Sequence, residues 1–367
     1  MAAAHARGDE LCDLTTSNPT TAGLDYPAAL LPLLERAQAS ALSYRPEPFG
    51  LLSARQSVAR HLASSRGAAP DPRDIMLTAS TSEAYAFLFK LLCDPGDAIL
   101  IPAPSYPLFE HLAELEAVEV LPYRLAYDGA WHIDLGSVRR TMTPKVRAIV
   151  VVSPNNPTGH YSAPGEQAAL AELGVPLIRD EVFFEYSLDA LPPQQRESTV
   201  LTFSLGGLSK LAGLPQLKLA WTELSGPGEL VQEARERLEL LADTFLSVGT
   251  PIQAALPDLL DLAPAISQTI RERCRQNLAA LRRLLTGSSV TVLRVEGGWS
   301  AVLQFPRLQS EDELVSGLLT RQRVLVQPGW FYDFEPGPYA IVSLLTPLSV
   351  FEHGVSRIAA YAAELSG

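Results

Sequence analysis

The chain has 367 residues, 47% hydrophobic and 19% charged, with a formal net charge of -12. That length carries two domains, or one large domain with a cap, and the acidic surplus repels phosphate backbones and anionic lipid, which excludes nucleic acid and membrane surfaces as expected partners. Three cysteines without paired spacing (Cys12, Cys93, Cys274) and six scattered histidines argue against a disulfide framework and a metal centre, and fit a reducing cytoplasm.

Residues 1–10 are alanine-rich but lack the apolar core of a signal peptide, and no run approaches membrane-spanning length. A cytoplasmic protein is expected. Ser17-Asn18-Pro19-Thr20 follows as an Asx-Pro turn, then a loop over 42–50 containing Tyr44 and Gly50. Short apolar runs over 75–79, 98–101, 118–121, 146–152, 176–178, 200–203 and 217–221 predict seven strands. Several are continuous in Val, Ile and Leu, the pattern of a mostly parallel sheet covered by helices on both faces. An α/β fold follows.

Between the first two of these runs lies Thr78-Ala79-Ser80-Thr81-Ser82-Glu83, where Ser80 and Glu83 have capping-box spacing. A helix starting there, running to Leu92, presents free N–H groups and three small hydroxyls that attract phosphate; an ordinary well-capped helix gives the same pattern. The run over 146–152 ends in the polar turn Ser153-Pro-Asn155-Asn156-Pro-Thr-Gly159, and the next ends in Asp180, so both place polar groups at the carboxyl edge of the sheet, where ligands of open α/β sheets bind. Residues 190–198 form a surface loop. The run over 200–203 leads through Gly206-Gly207 to Ser209-Lys210, and an amine at a strand end is a candidate Schiff-base residue. Beyond residue 229 the chain turns amphipathic, with helices expected over 229–244 and 265–285, then a strand-rich region from 291. We expect a large domain over 26–260 and a smaller α+β domain over 261–367, completed by residues 1–25.

The order of these motifs, Tyr44 with Gly50, Ser80-Thr81-Ser82, Pro104-Ser105-Tyr106, Asn155 to Gly159, Asp180-Glu181-Val182 and Ser209-Lys210, resembles that of fold-type I pyridoxal phosphate enzymes, specifically the class I/II aminotransferase family. The resemblance implies a homodimeric aminotransferase of amino-acid metabolism that uses pyridoxal 5'-phosphate to move an amino group between an amino acid and a 2-oxo acid. It implies that Lys210 binds the cofactor covalently and carries the proton, that Asp180 pairs with the pyridine nitrogen, and that Asn156 donates to the phenolic oxygen while Tyr106 stacks on the ring. Ser80, Thr81, Ser82, Ser209 and Lys218 would hold the phosphate, and Tyr44 would reach the phosphate of the partner subunit. Ser17 and Asn18 would close over substrate, which Asn156 and Trp299 would also contact.

The chain departs from the family pattern at several positions. Phe183 stands where many relatives carry a tyrosine, Lys218 where an arginine forks onto the phosphate, and Gly207 where a serine is frequent. Ile341 stands where an arginine usually clamps the substrate carboxylate, which leaves Asn156, a backbone N–H of the 297–300 turn or Arg323 as substitutes. Two alternatives therefore stay open: another pyridoxal reaction (β-lyase, cyclase, decarboxylase or amine-specific transaminase), and a non-catalytic regulator on the same fold.

Overall fold

The computed structural model describes residues 11–66, 68–188, 198–246 and 248–366. The segment 1–10 and most of the loop expected over 190–198 lie outside the described residues.

The main sheet has eight strands in the order Ile75–Thr78, Ala220–Ser225, Thr202–Gly207, Leu177–Asp180, Val146–Val152, Ala98–Ala103, Glu119–Tyr127 and Trp131–Ile133. Seven of these correspond to the predicted runs. The eighth, Trp131–Ile133, is a three-residue edge strand that folds back antiparallel on Glu119–Tyr127, too short for any periodicity to register. The central strands pair in parallel, whereas Ala220–Ser225 runs antiparallel to both its neighbours. Leu177–Asp180 and Thr202–Gly207 are buried along their whole lengths, because both faces of the sheet are covered. Along Val146–Val152, Val150 and Val152 enter one core with Phe87, Leu88 and Phe109, while Ile149 and Val151 enter another with Tyr123, Leu170 and Ile341. The strand period of two thus feeds two cores from one strand.

A second, antiparallel sheet orders Thr291–Val292, Ser300–Gln304, Tyr339–Ser343 and Gln327–Pro328. The N-terminal segment joins this part of the chain: Cys12–Asp13 pairs in parallel with Val324–Leu325, and the Ser343 N–H donates to the Leu14 carbonyl at 2.7 Å.

The helix expected over 265–285 instead spans Thr250–Leu284, 35 residues, with Pro257 and Pro264 inside it. Each proline removes one i to i−4 hydrogen bond, which is why a helix start after Pro264 is the natural sequence reading. Burial decides otherwise. Leu256, Leu259, Leu260, Ala263, Ile266 and Ile270 form one continuous apolar face across both prolines, and tertiary packing of that face overrides local propensity. The expected division at 260/261 falls inside this helix, so the chain passes it as one continuous rod.

Candidate active site

The site grows from strand register. Val152 stands opposite Asp180, and Asp180 opposite Leu205, so the three loops that leave these adjacent parallel strands emerge side by side. They carry Asn156, Phe183 and Lys210. Lys210 lies in the one-turn helix Leu208–Leu211 immediately after the strand, and its turn is fixed from outside by the Tyr186 hydroxyl, which donates to the Lys210 carbonyl at 2.6 Å. Its amine sits 5.4 Å from the ring centroid of Phe183 and 5.2 Å from that of Trp299. The two rings meet edge-on at 5.1 Å and 76°, forming an apolar wall beside the amine. Burial pushes the Lys210 pKa down, opposed by the charge of Asp180. An amine so placed is closer to its neutral, nucleophilic form.

Asp180 is 8% exposed, and burial pushes its carboxyl up to about 6 against the pull of the Val182 N–H, Tyr85 and Lys210. The Tyr85 hydroxyl donates to Oδ2 at 3.0 Å and the Val182 N–H to Oδ1 at 3.2 Å. A buried acid left with so few donors is poised to receive a cationic partner. Tyr85 lies in the stretch beginning at Thr78, yet sequence reasoning gave it no role. Its position one turn beyond a capped helix start, on the buried face, was the available signal.

The helix Thr81–Leu92 begins as expected, with Ser80 as N-cap accepting the Glu83 N–H at 3.1 Å. The reciprocal half of a capping box is displaced by one residue: the Glu83 carboxylate accepts the Ala79 N–H at 2.7 Å, not that of Ser80. Thr81 and Ser82 occupy the first turn, where backbone N–H groups have no intrahelical partner.

The two asparagines divide their duties. Asn155 is buried and accepts from the Ser105 hydroxyl at 3.1 Å while its amide donates to the Pro104 carbonyl and Thr158 Oγ1, both at 3.0 Å. It ties the Tyr106 loop to the 155–159 turn. Asn156 accepts from the Ser300 hydroxyl at 3.3 Å through its side-chain oxygen, a bond in which its amide N–H groups take no part. Ser300, next to Trp299, is a second residue without a role in the sequence reading. Of the substitutes for the missing arginine, the Gly297 and Gly298 N–H groups already donate to the Gly159 and Tyr186 carbonyls, at 3.0 and 2.9 Å. Arg323 caps the helix Glu311–Gln322 in a left-handed conformation, and its carbonyl accepts the Cys12 N–H. Ile341 is 1% exposed, facing Val302 across the small sheet within an apolar core.

Other expected site residues lie at the periphery of the single chain. Tyr106 is 45% exposed and lies near Tyr332, whose phenol is pushed up by burial and by Tyr106. Lys218 is exposed in a left-handed conformation two residues before Ala220, which pairs with Gly207. A side chain on Gly207 would meet Ala220 Cα at 3.1 Å and the Leu219 carbonyl at 3.2 Å, which accounts for glycine where the family often has serine. Ser209 is half-buried beside Lys210. Asn18 makes the Asx turn expected from its sequence, accepting the Thr20 N–H and hydroxyl at 3.0 and 2.7 Å, with Ser17 exposed beside it. The turn nevertheless borders the site, because Pro19 packs on Gly213, three residues past Lys210. Tyr44 is 75% exposed, beside Gly50 and Gln253 and apart from the Lys210 cluster of its own chain.

A buried acid, a depressed amine, an asparagine amide, an aromatic wall and a helix start on one sheet edge fit a phosphorylated, protonatable pyridine. Comparison with known proteins agrees. The chain is 26% identical over 360 residues to the glutamate-pyruvate aminotransferase AlaA of Escherichia coli, covering 92% of this chain and 87% of that protein. It is 27% identical over 353 residues to an alanine aminotransferase of Mycobacterium tuberculosis, covering 91% and 81%. In fold it superposes on an alanine aminotransferase from Pyrococcus furiosus with a TM-score of 0.88 at 22% identity, covering 99% and 95% of the two chains. The family model for aminotransferases of class I and II matches residues 9–337, and the chain belongs to that family of pyridoxal phosphate-dependent enzymes, which move an amino group between an amino acid and a 2-oxo acid.

Proposed function

We propose that this aminotransferase works with Lys210 as the covalent anchor of the cofactor and as the base that carries the substrate proton. The observation that supports this best is the placement of Lys210 Nζ beside the Phe183 and Trp299 rings with the amine pKa lowered by burial. Bound pyridoxal phosphate supplies an electron sink for the substrate Cα. Asp180 then pairs with the ring nitrogen, Asn156 donates to the phenolic oxygen, and Tyr106 covers the ring. Ser80, Thr81 and Ser82 at the helix start, with Ser209 and Lys218, hold the phosphate. Phe183 offers no hydroxyl where relatives have one, so Asn156, steadied by Ser300, carries that bond alone.

With Ile341 sealed in the core, the substrate carboxylate is received by the Asn156 amide and the Trp299 backbone N–H, with Ser17 and Asn18 closing over it. The chain is proposed to act as a homodimer in which the exposed Tyr44 reaches the partner's phosphate site, with residues 26–260 forming the cofactor-binding part and 261–367 plus 1–25 the cap. A cytoplasmic setting is part of this reading; among the described residues no helix is long and apolar enough to cross a membrane. The test is a screen of single amino acids added to the holoenzyme, following loss of the cofactor's visible band and its return on adding a 2-oxo acid. Release of ammonia without need of an acceptor would instead assign a lyase. A protein that takes up no pyridoxal phosphate would overturn the reading.

A further inference from the structure

His160 follows the 155–159 turn and is 5% exposed. Its Nε2 lies 3.1 Å from Glu166, on the helix Pro164–Ala171, and its Nδ1 lies 3.6 Å from Glu296. Glu166 also accepts the Ala163 and Ile133 N–H groups, each at 2.6 Å, and Glu296 accepts the Tyr161 N–H at 3.0 Å. Glu296 opens the 296–300 turn, which sets Trp299 against Lys210 and Ser300 on Asn156. One imidazole therefore joins the turn that carries Asn156 to the turn that carries Trp299. We propose that His160 is a positioning residue of the amino-transfer site, its imidazole clamped between Glu166 and Glu296 so that the two turns keep one spacing. The proposal rests on the reading of Asn156 and Trp299 as substrate-contacting groups.

Charge accounts for the clamp. Arg294 lies 3.3 Å from Glu296, so with a charged His160 the group holds two cations and two carboxylates and is neutral. Tyr123 feels the charge of Glu166, and Tyr161 those of Glu185 and Arg271. Burial opposes the imidazolium, but the two carboxylates prevail and raise the His160 pKa, while His160 in turn lowers those of Glu166 and Glu296. The sign follows from these directions. The imidazolium form persists below the raised His160 pKa and is lost as pH rises through it, whereas the carboxylates are lost as pH falls through theirs. The clamp is closed between these limits.

The test is the pH profile of kcat/KM for the wild-type holoenzyme, His160→Gln and Glu296→Gln. His160→Gln should raise KM several-fold with a smaller change in kcat and should remove the clamp's basic limb. Glu296→Gln, which deletes one charge partner, should move that limb down by about one pH unit. A purely structural role would lower the melting temperature and leave the limb in place, and identical limbs in all three proteins would overturn the proposal. Should His160→Gln fail to fold, the wild-type and Glu296→Gln proteins decide by histidine NMR titration: no imidazole titrating above the ordinary range and moving down in the variant overturns it. If instead the clamp titrates as proposed while Asn156→Ala leaves KM unchanged, the clamp stands and the reading of the substrate contacts fails.

Discussion

Removing one oxygen, by Tyr85→Phe, isolates the electrostatics of Asp180, the acid proposed to pair with the cofactor. The hydroxyl donates to Asp180 Oδ2 at 3.0 Å inside the protein, and a hydrogen bond to a buried charge contributes about 1.5–3 kcal/mol. Because the bond favours the carboxylate over the acid, its loss should raise the Asp180 pKa from about 6 by about one pH unit, equivalent to ~1.4 kcal/mol. The sign can be checked in the cofactor-free protein. Burial has already lifted the Asp180 pKa from 3.8 to about 6, so the folded state binds the extra proton, and stability declines by about 3 kcal/mol as pH rises through that window. Tyr85→Phe should extend the decline upward: little change near pH 4, where the acid is neutral in both proteins, and a melting temperature lower by about 2 °C at pH 8. Cofactor affinity gives a second readout. At pH 6.5 the ionised fraction of Asp180 falls roughly three-fold, and pyridoxal phosphate should bind about three-fold more weakly; at pH 8.5 the difference should vanish. Equal melting profiles and equal affinities across that range would refute the assignment of Tyr85 as a tuner of Asp180.

Lys210→Ala should abolish the visible absorbance of the holoenzyme and lower turnover by at least ~10³-fold, measured by donor-driven spectral change; a variant that keeps both would remove Lys210 from the mechanism. Gly207→Ser should fold less stably by about 1–3 kcal/mol in denaturant titration, because the new Cβ meets the backbone of Leu219 and Ala220. Equal stability with tighter phosphate binding would mean that the strand end is looser than its contacts imply. Ile341→Arg, which restores the family residue in sequence, should destabilise by about 3 kcal/mol or more rather than lower KM for amino acids, since the site is an apolar core without a counter-charge. A lower KM in a stable variant would show that the side chain reaches the substrate.

The residues readable from sequence are those whose position follows from a strand end. Asp180, Asn156 and Lys210 each terminate an apolar run, and parallel register then brings them together without further information. Tyr85, Ser300 and His160 act across elements far apart in the chain, separated from their partners by 95, 144 and up to 136 positions, and no local pattern encodes such pairings. The edge strand Trp131–Ile133 and the first half of the helix Thr250–Leu284 escaped for related reasons. One is too short to show a period, and the other carries prolines that local propensity reads as breaks while a continuous buried face keeps it helical. The same separation explains the atypical positions. Gly207 and Ile341 look like missing functional groups when set against a family motif, but each is fixed by what packs on it, the Leu219–Ala220 backbone in one case and an apolar core in the other. The proposed function therefore gives the recognition that many relatives assign to an arginine to other groups, the Asn156 amide among them.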